Sequence, residues 1–92
     1  MKIEFDSAKS RKNARERNLP FYLAEEFEWE TALYREDDRR EYPERRFVAV
    51  GSLESGVHVI CFTPTSEGVR IISLRRANHR EVRRYEKETA DR

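Results

Sequence analysis

The sequence predicts an α+β fold in which a mostly antiparallel sheet packs against helices, in a single domain over residues 1–92. Three observations support this prediction. A chain of 92 residues that is 37% hydrophobic and 40% charged has enough apolar side chains for one thin core. Helix-starting patterns lie near both ends of the chain. Between them, short runs of β-branched and aromatic residues predict the element order β-α-α-β-β-β-β-α.

The first three elements are predicted from the residues at their ends. Residues 2–5 place two apolar side chains on one face, which is typical of a short strand. The carboxylate of Asp6 suits the N-cap of a helix that runs to about Arg17, and Asn18 suits the left-handed residue that ends it. A proline in the first turn predicts a second helix over residues 21–29.

The second half of the chain predicts a sheet followed by a helix. Four strands are expected at residues 31–35, 46–53, 57–63 and 69–74, with turns at residues 52–56 and 64–68. The highly charged residues 36–44 should form an exposed connection. Asn78 and Glu81 match a helix capping box, which predicts a final helix that ends near residue 88.

Charge is segregated along the chain, although the formal net charge is only +1. Residues 1–20 carry a net charge of +3, residues 21–44 carry −6 and residues 45–92 carry +4. Arginine outnumbers lysine fifteen to four. Because guanidinium groups make two-pronged contacts with phosphate and stack on bases, this bias favours a nucleic-acid partner over the alternative, a solvated and salt-bridged surface.

Other features of the sequence exclude several classes of protein. Cys61 is the only cysteine and lies in an apolar run, which indicates a buried core position and allows no disulfide within the chain. His58, in the same run, is expected to be structural or outward-facing. No signal peptide or membrane span is evident, so we expect a cytoplasmic protein. No Cys/His spacing suggests zinc, and the acidic residues 36–38 point apart on a strand, so we expect no metal and no cofactor.

The arginine-rich residues 70–85 carry the most informative chemistry. Arg75 and Arg76 fall at the end of the last strand, and the next helix places Arg80 on one face with the arginines that follow it. The N-terminus of that helix adds partial positive charge that favours phosphate. RNA supplies its own nucleophile, the 2′-hydroxyl, so an enzyme that cleaves RNA can rely on cations that neutralise the developing phosphorane.

Each of these residues also has an ordinary structural interpretation. Arg75 and Arg76 can pair with the acidic connection, and Arg80 can solvate a surface helix. Tyr85 can anchor the last helix to the sheet, and a phenol is a poor base at neutral pH. His79 has the side chain best suited to a general base, but it lies in the first turn of a helix with no evident partner.

Four stretches of the sequence resemble one family in both order and spacing, over almost the whole chain. They are Ile3-Glu4-Phe5-Asp6 with Lys9 and Asn13, then Glu36-Asp37-Asp38-Arg39 with Tyr42, Glu44 and Arg46-Phe47-Val48-Ala49-Val50-Gly51, then Arg70-Ile71-Ile72-Ser73-Leu74-Arg75-Arg76-Ala77, and finally Arg80-Glu81 with Arg83-Arg84-Tyr85-Glu86. With these residues the chain resembles the BrnT toxins of type II toxin–antitoxin systems, which have a RelE-like ribonuclease fold. It departs from the family at Glu16-Arg17-Asn18, where Lys-His-Gly is usual, and at Pro43, where glycine is usual.

The resemblance implies a metal-independent endoribonuclease that inhibits growth by cleaving RNA. It also implies a BrnA-type antitoxin, with two toxins and two antitoxins in a heterotetramer that contacts operator DNA only through the antitoxin. Charge, helix position and the resemblance together give the site residues. The catalytic candidates are Arg75, Arg76, His79, Arg80 and Tyr85. The RNA-binding candidates are Lys9, Lys12, Arg70, Arg83 and Arg84.

Two other functions are compatible with the same residues. A cluster of arginines without an evident general base is also what a non-catalytic nucleic-acid-binding module needs. A basic face can equally serve a protein-interaction module that docks an acidic partner. RNA cleavage by the pure protein distinguishes the toxin from both alternatives.

Overall fold

The computed structural model, which describes residues 1–54 and 56–90, contains a five-stranded sheet with the strand order β1-β5-β4-β3-β2. The strands are β1 (Lys2–Glu4), β2 (Leu33–Glu36), β3 (Phe47–Leu53), β4 (Gly56–Pro64) and β5 (Gly68–Arg76). β1 runs parallel to β5, and the other neighbouring strands are antiparallel. Together with helices α1 (Ser7–Arg17) and α2 (His79–Thr89), this sheet confirms the predicted α+β fold.

The observed strands differ from the predicted ones at their ends. β5 continues to Arg76, two residues beyond the predicted end, and β2 begins at Leu33, two residues later than predicted. The predicted turn over residues 52–56 includes Ser55, which lies outside the described residues. No helix formed by the described residues has the length and apolar character needed to cross a membrane.

Helix α1 begins and ends at the residues that its caps predict. Asp6 Oδ1 accepts hydrogen bonds from the backbone N–H groups of Ala8 and Lys9 at 2.8 and 3.1 Å. Asn18 adopts the left-handed conformation, with φ of 58°, and its N–H donates to the carbonyl of Ala14 at 2.9 Å. These contacts satisfy backbone groups that a helix leaves unpaired at its ends, which is why the sequence located both ends correctly.

Hydrogen bonds from two buried side chains attach the strongly polar helix α1 to the rest of the protein. The side-chain amide of Asn13 donates to the carbonyl of Leu19 at 2.7 Å and to the carbonyl of Leu74 at 2.9 Å. Ser10 Oγ accepts a hydrogen bond from the backbone N–H of Phe21 at 2.8 Å. Because Ser10 and Asn13 are both buried, removal of either side chain leaves a buried backbone group without its partner.

Replacement of Asn13 with alanine is expected to lower the free energy of unfolding by about 1–3 kcal/mol, the cost of leaving buried polar groups unsatisfied. The affected groups are the carbonyls of Leu19 and Leu74. Urea unfolding of the variant and the wild type measures this difference. The control is Lys12→Ala, at an exposed position on the same helix. Equal stabilities of the two variants would contradict the attachment of α1 through Asn13.

The predicted second α-helix is wrong, because the chain forms two 3-10 helices there, Phe21–Glu26 and Trp29–Thr31. The reason is the spacing of the buried side chains. Phe21, Ala24 and Phe27 follow one another at intervals of three residues and are all buried. A 3-10 helix has three residues per turn, so it places Phe21 directly in line with Ala24 and leads to Phe27 on the same side, whereas an α-helix would offset each of them from the last by about 60°.

The main core lies on the side of the sheet that carries the 3-10 helices, here called the core face. Leu53, Ile60 and Leu74, from three adjacent strands, have fully buried side chains on this face. The aromatic rings extend the core, and Trp29 packs edge-to-face on Phe62 with a distance of 5.3 Å between ring centroids. This packed face holds the sheet and the N-terminal half of the chain together.

A β-bulge decides which side chains of β5 reach the opposite side of the sheet, here called the second face. The pairing of β4 with β5 shifts between Cys61 and Phe62, because Ile72 is an extra residue in β5. Such an insertion displaces the alternation of side chains by one position. As a result, Arg70 and Arg75 both lie on the second face, although they are five positions apart and strict alternation would place them on opposite faces.

Candidate active site

Helix α2 lies over the second face of the sheet. Asn78 and Glu81 form the predicted capping box, in which the side chain of each accepts a hydrogen bond from the backbone N–H of the other. Tyr85 is half-buried on the same helix. Beneath it, Val48 and Val59 of the second face are buried. The capping box therefore starts the helix where its first turn can contact β5.

The contact between α2 and β5 is a two-pronged ion pair between Arg75 and Glu81. Arg75 Nη1 donates to Glu81 Oε1 at 2.8 Å, and Nη2 donates to Oε2 at 2.9 Å. These hydrogen bonds lower the pKa of Glu81 to about 2 and raise the pKa of Arg75. Arg75 Nη1 also donates to the carbonyl of Arg76 at 3.3 Å, and the N–H groups that remain can donate to a ligand.

The charges of Arg35 and Arg39 act on the Arg75–Glu81 pair, and Arg35 lines the same groove as Glu81; Arg35, Arg39 and Arg75 are here called the arginine cluster. The charge of Arg39 opposes the effect of Glu81 on the pKa of Arg75. The charge of Arg35 contributes to the lowered pKa of Glu81. Arg39 and Arg75 are each paired with a carboxylate, Asp37 and Glu81 respectively, so the cluster together with these partners keeps one net positive charge, which favours a phosphate.

Cys61 lies on the second face, in the same row of the sheet as Arg35, rather than in the core, where the sequence placed it. Its side chain is half-buried on the second face. Burial, followed by the negative charge of Asp37, raises the pKa of the Cys61 thiol, while the charges of Arg35, Arg39 and Arg46 lower it in part. The net effect keeps the thiol protonated, so Cys61 is not an activated nucleophile.

The prediction that residues 36–44 are an exposed connection is wrong for Asp37, which is buried. Its carboxylate accepts two hydrogen bonds from Arg39, at 2.8 and 2.9 Å, and these hold the pKa of Asp37 at about 2. The hydroxyl of Tyr42 also donates to this carboxylate at 3.4 Å, and the backbone N–H of Asp37 donates to the carbonyl of Arg46 at 2.8 Å. This pairing makes burial of the charge possible and positions Arg39 beside the second face.

Arg70 lies on the second face toward the start of β5. Its guanidinium group forms an ion pair with Glu44 at 3.2 Å. Glu44 belongs to the acidic connection, so the connection reaches across to this part of β5. An RNA phosphate would have to displace the Glu44 carboxylate in order to bind Arg70 through the same N–H group.

An open groove of about 280 Å³ separates α2 from strands β2 and β3. Leu33, Val48 and Val50 form its apolar floor, and all three lie on the second face. Arg80 and Arg84 line it from the helix. Glu81 and Glu88 also line it from the helix, so the groove combines an apolar floor with both guanidinium and carboxylate groups along one side.

Arg76 points to the opposite side of the sheet from Arg75. Its partner across the β4–β5 ladder is His58, and both residues line a polar cavity of about 420 Å³ beside Tyr22. His58 is buried, and its Nδ1 atom lies 3.1 Å from the carbonyl oxygen of Gly56. Since successive residues of a strand face opposite sides, Arg75 and Arg76 do not share one phosphate-binding position.

The other predicted site residues are spread over both helices. His79 is the first residue of α2 and is exposed. Arg83 is also exposed but does not line the groove, and Tyr85 is half-buried. Lys9 and Lys12 are exposed on α1. The structure therefore gathers only part of the predicted set around the second face.

Three contributors to the site were missed by the sequence analysis. Arg35 and Arg39 were assigned only to a strand and an exposed connection, and Glu81 only to a helix cap. A signal existed for Arg35, because it lies two residues after Leu33 along β2 and its side chain therefore lies on the same face of the sheet.

Among residues 1–54 and 56–90, no group of three His, Cys, Asp or Glu side chains is placed to hold a metal ion.

Acid is expected to destabilise the fold between pH 4.5 and about pH 2, the range between the ordinary pKa of Glu and the lowered pKa values of Asp37 and Glu81. In this range the unfolded chain binds protons that the folded chain does not, so stability falls as the pH falls. Thermal unfolding at a series of pH values measures the slope, which should be smaller in Asp37→Asn and Glu81→Gln variants. An unchanged slope in both variants would contradict the assignment.

Comparison with known proteins gives one clear match. The profile of the family described as "Ribonuclease toxin, BrnT, of type II toxin-antitoxin system" matches residues 5–81. No curated protein matches the sequence significantly. The matched range covers most of the chain and includes the arginine cluster and Glu81. The chain therefore belongs to the BrnT family of ribonuclease toxins of type II toxin–antitoxin systems.

Proposed function

We propose that this protein is a metal-independent endoribonuclease with a RelE-like fold, and that it cleaves RNA at the arginine cluster on the second face. The observation that carries the proposal is the pair of hydrogen bonds by which the Glu81 carboxylate orients Arg75, together with the charges of two further arginines that act on this pair. In a member of a ribonuclease toxin family, an oriented guanidinium group in a positive region is what a phosphoryl-transfer site requires.

The proposed reaction uses the nucleophile that RNA already contains. The 2′-oxygen forms a bond to the adjacent phosphorus, and the bond from phosphorus to the 5′-oxygen of the next nucleotide breaks. The 2′-hydroxyl loses its proton, and the departing 5′-oxygen gains one. The products are a 2′,3′-cyclic phosphate and a 5′-hydroxyl. The protein has to hold the phosphate, stabilise the additional negative charge of the phosphorane and assist these two proton transfers.

The predicted catalytic residues take separate roles in this proposal. Arg75 contacts the phosphate at the reacting atoms, and Arg80 adds charge from the first turns of α2. His79 and Tyr85 are the candidates for proton transfer on the same helix. Arg76, on the core face, serves a more distant part of a bound RNA.

The function is tested by incubating the purified protein with a defined RNA in the presence of EDTA. We expect cleavage, with fragments that end in a 2′,3′-cyclic phosphate or its hydrolysis product and begin with a 5′-hydroxyl. The Arg75→Ala variant, purified in the same way, controls for contaminating nucleases. Intact RNA after prolonged incubation, or cleavage that EDTA abolishes, would contradict the proposal.

The proposed partner is a BrnA-type antitoxin, in a heterotetramer of two toxins and two antitoxins that contacts operator DNA through the antitoxin. Family membership supports the existence of a protein antitoxin. The basic second face supports an acidic docking segment by charge complementarity. Co-expression with the product of the adjacent gene, followed by measurement of the mass of the complex, tests both the partner and the stoichiometry.

A second candidate function is RNA binding without cleavage. The observation that favours it is the protonation state of two groups at the site. Glu81, with a pKa of about 2, is a very weak base, and the raised pKa of Cys61 keeps its thiol protonated. Salt-sensitive RNA binding by the pure protein without any cleavage would support this alternative.

A further inference from the structure

The groove between α2 and strands β2 and β3 lies in the same row of the sheet as Arg75. On the second face, Leu33 pairs with Val50, Val50 pairs with Val59, and Val59 pairs with Arg75. Neighbouring strands are about 4.8 Å apart, so the groove floor at Val50 is about 10 Å from the backbone of Arg75. Val59 itself is covered by α2, but Glu81 both lines the groove and holds the Arg75 guanidinium group, so a ligand that contacts Arg75 can place an adjoining group in the groove at this end.

The chemistry of the groove suits a flat, partly apolar group with polar edges. Leu33, Val48 and Val50 offer aliphatic surface that can pack against an aromatic face. Arg84 stands at the side, largely exposed, and its Nε donates to Glu88 Oε1 at 3.0 Å. Guanidinium planes stack on nucleobases, a contact that the point charge of a lysine does not make.

We propose that this groove binds the nucleobase of a nucleotide adjacent to the phosphate held by Arg75, with Arg84 stacked on the base or packed along its edge. The proposal rests on the proposed RNA-cleaving function and adds a base-binding position to it. An acidic segment of a protein partner would have charge complementarity to the arginines but would leave the aliphatic floor without a matching flat group. The combination of an aliphatic floor, guanidinium groups and proximity to a phosphate site favours a nucleotide.

The test compares RNA oligonucleotides in which each nucleotide in turn lacks its base. The oligonucleotides carry 2′-O-methyl groups, so binding is measured without cleavage. For the wild type, one abasic position is expected to weaken binding about tenfold, as expected for loss of one stacked base. For the Arg84→Ala variant, the same abasic position should cause little further loss, because the stacked contact is already absent. For the Val50→Thr variant, which places a hydroxyl group in the floor, the abasic effect should be smaller than in the wild type.

Two controls separate the base from general electrostatics. Arg84→Lys keeps the charge and loses the planar group, so it should behave like Arg84→Ala in the abasic comparison. Lys87→Ala removes an exposed positive charge from the same helix outside the groove lining, and it should keep the full tenfold abasic effect. Val50→Thr is nearly isosteric with the wild type, so it tests the floor of the groove with little change in shape.

Several results would overturn the proposal. These are an abasic series without any weakened member, an abasic effect of the same size in the Arg84 and Val50 variants, or variants that lose antitoxin binding and keep all RNA binding. If the protein binds RNA but does not cleave it, the binding affinities can still be compared, so failure of the proposed cleavage is distinguishable from failure of the base-binding proposal. Absence of any RNA binding by the wild type would overturn both.

Discussion

Replacement of Arg75 with alanine is expected to reduce the rate of RNA cleavage by at least about a hundredfold, the usual effect of removing one group that stabilises charge in a transition state. Arg75 is oriented by two hydrogen bonds to Glu81 and has N–H groups left for a phosphate. Its loss removes these donors and also leaves Glu81 as an unpaired negative charge beside the bound RNA. Both effects oppose the build-up of negative charge on the phosphorane.

The measurement is the single-turnover rate of cleavage of a defined RNA, with circular dichroism as a check on folding. Arg75→Lys keeps the charge but not the two-pronged contact with Glu81, so it should recover only part of the rate. The same change at Arg76 should have a smaller effect, since that side chain lies on the other side of the sheet. Full activity of Arg75→Ala together with inactivity of Arg76→Ala would contradict a site on the second face and indicate one on the core face.

Glu81 links this prediction to the position of α2. Its carboxylate accepts the hydrogen bonds of Arg75 and also the backbone N–H of Asn78 in the capping box. We therefore regard Glu81 as a positioning residue that orients Arg75 and starts the helix at the same time. The Glu81→Gln variant replaces the carboxylate with a neutral amide. It should lower the cleavage rate less than Arg75→Ala does, because the guanidinium group of Arg75 remains present.

Replacement of Leu74 with alanine is expected to lower the free energy of unfolding by about 2–5 kcal/mol, the range observed for buried leucines in well-packed cores. Leu74 is completely inaccessible to solvent, and it faces Ile60 across the β4–β5 ladder. Its shortening creates a cavity at the centre of the core face. Small domains are stable by only about 5–15 kcal/mol, so the variant should lose a large fraction of its total stability.

Urea denaturation of the wild type and of Leu74→Ala measures this effect. The matched control is Leu33→Ala, which shortens a partly exposed leucine on the second face. Because Leu33 already contacts solvent, its replacement should lower the free energy of unfolding much less than the replacement of Leu74 does. Similar losses for the two variants would contradict the assignment of the main core to the core face.

The elements that the sequence predicted well are those set by local interactions. The caps of α1 at Asp6 and Asn18 and the capping box of α2 at Asn78 depend on residues within four positions of one another. The strands β3 and β4 carry runs of β-branched and aromatic residues. In each case a few neighbouring residues are sufficient to determine the structure.

The elements that the sequence predicted poorly depend on distant contacts. The 3-10 helices form because Phe21, Ala24 and Phe27 must all face a sheet whose position is not evident from their own segment. Asp37 is buried because Arg39 pairs with it and the chain closes back to β3. Residue composition alone indicated an exposed segment.

The bulge at Ile72 had the largest consequence for the site. Strict alternation from the buried Ile71 would place Arg75 on the core face and Arg76 on the second face. The extra residue reverses this assignment and places Arg75 with Arg70. No residue type marks this bulge in the sequence, so the sequence could not predict on which face of the sheet Arg75 and Arg76 each lie.

The central claim is that RNA binds to the second face. It is tested most directly by a backbone amide NMR titration of the isotope-labelled protein with a 2′-O-methyl RNA hexanucleotide. The account predicts chemical-shift changes at Val59, Cys61, Ser73 and Arg75 and along the first turns of α2. Shift changes confined to α1 and to the cavity beside Tyr22 and Arg76 would contradict it.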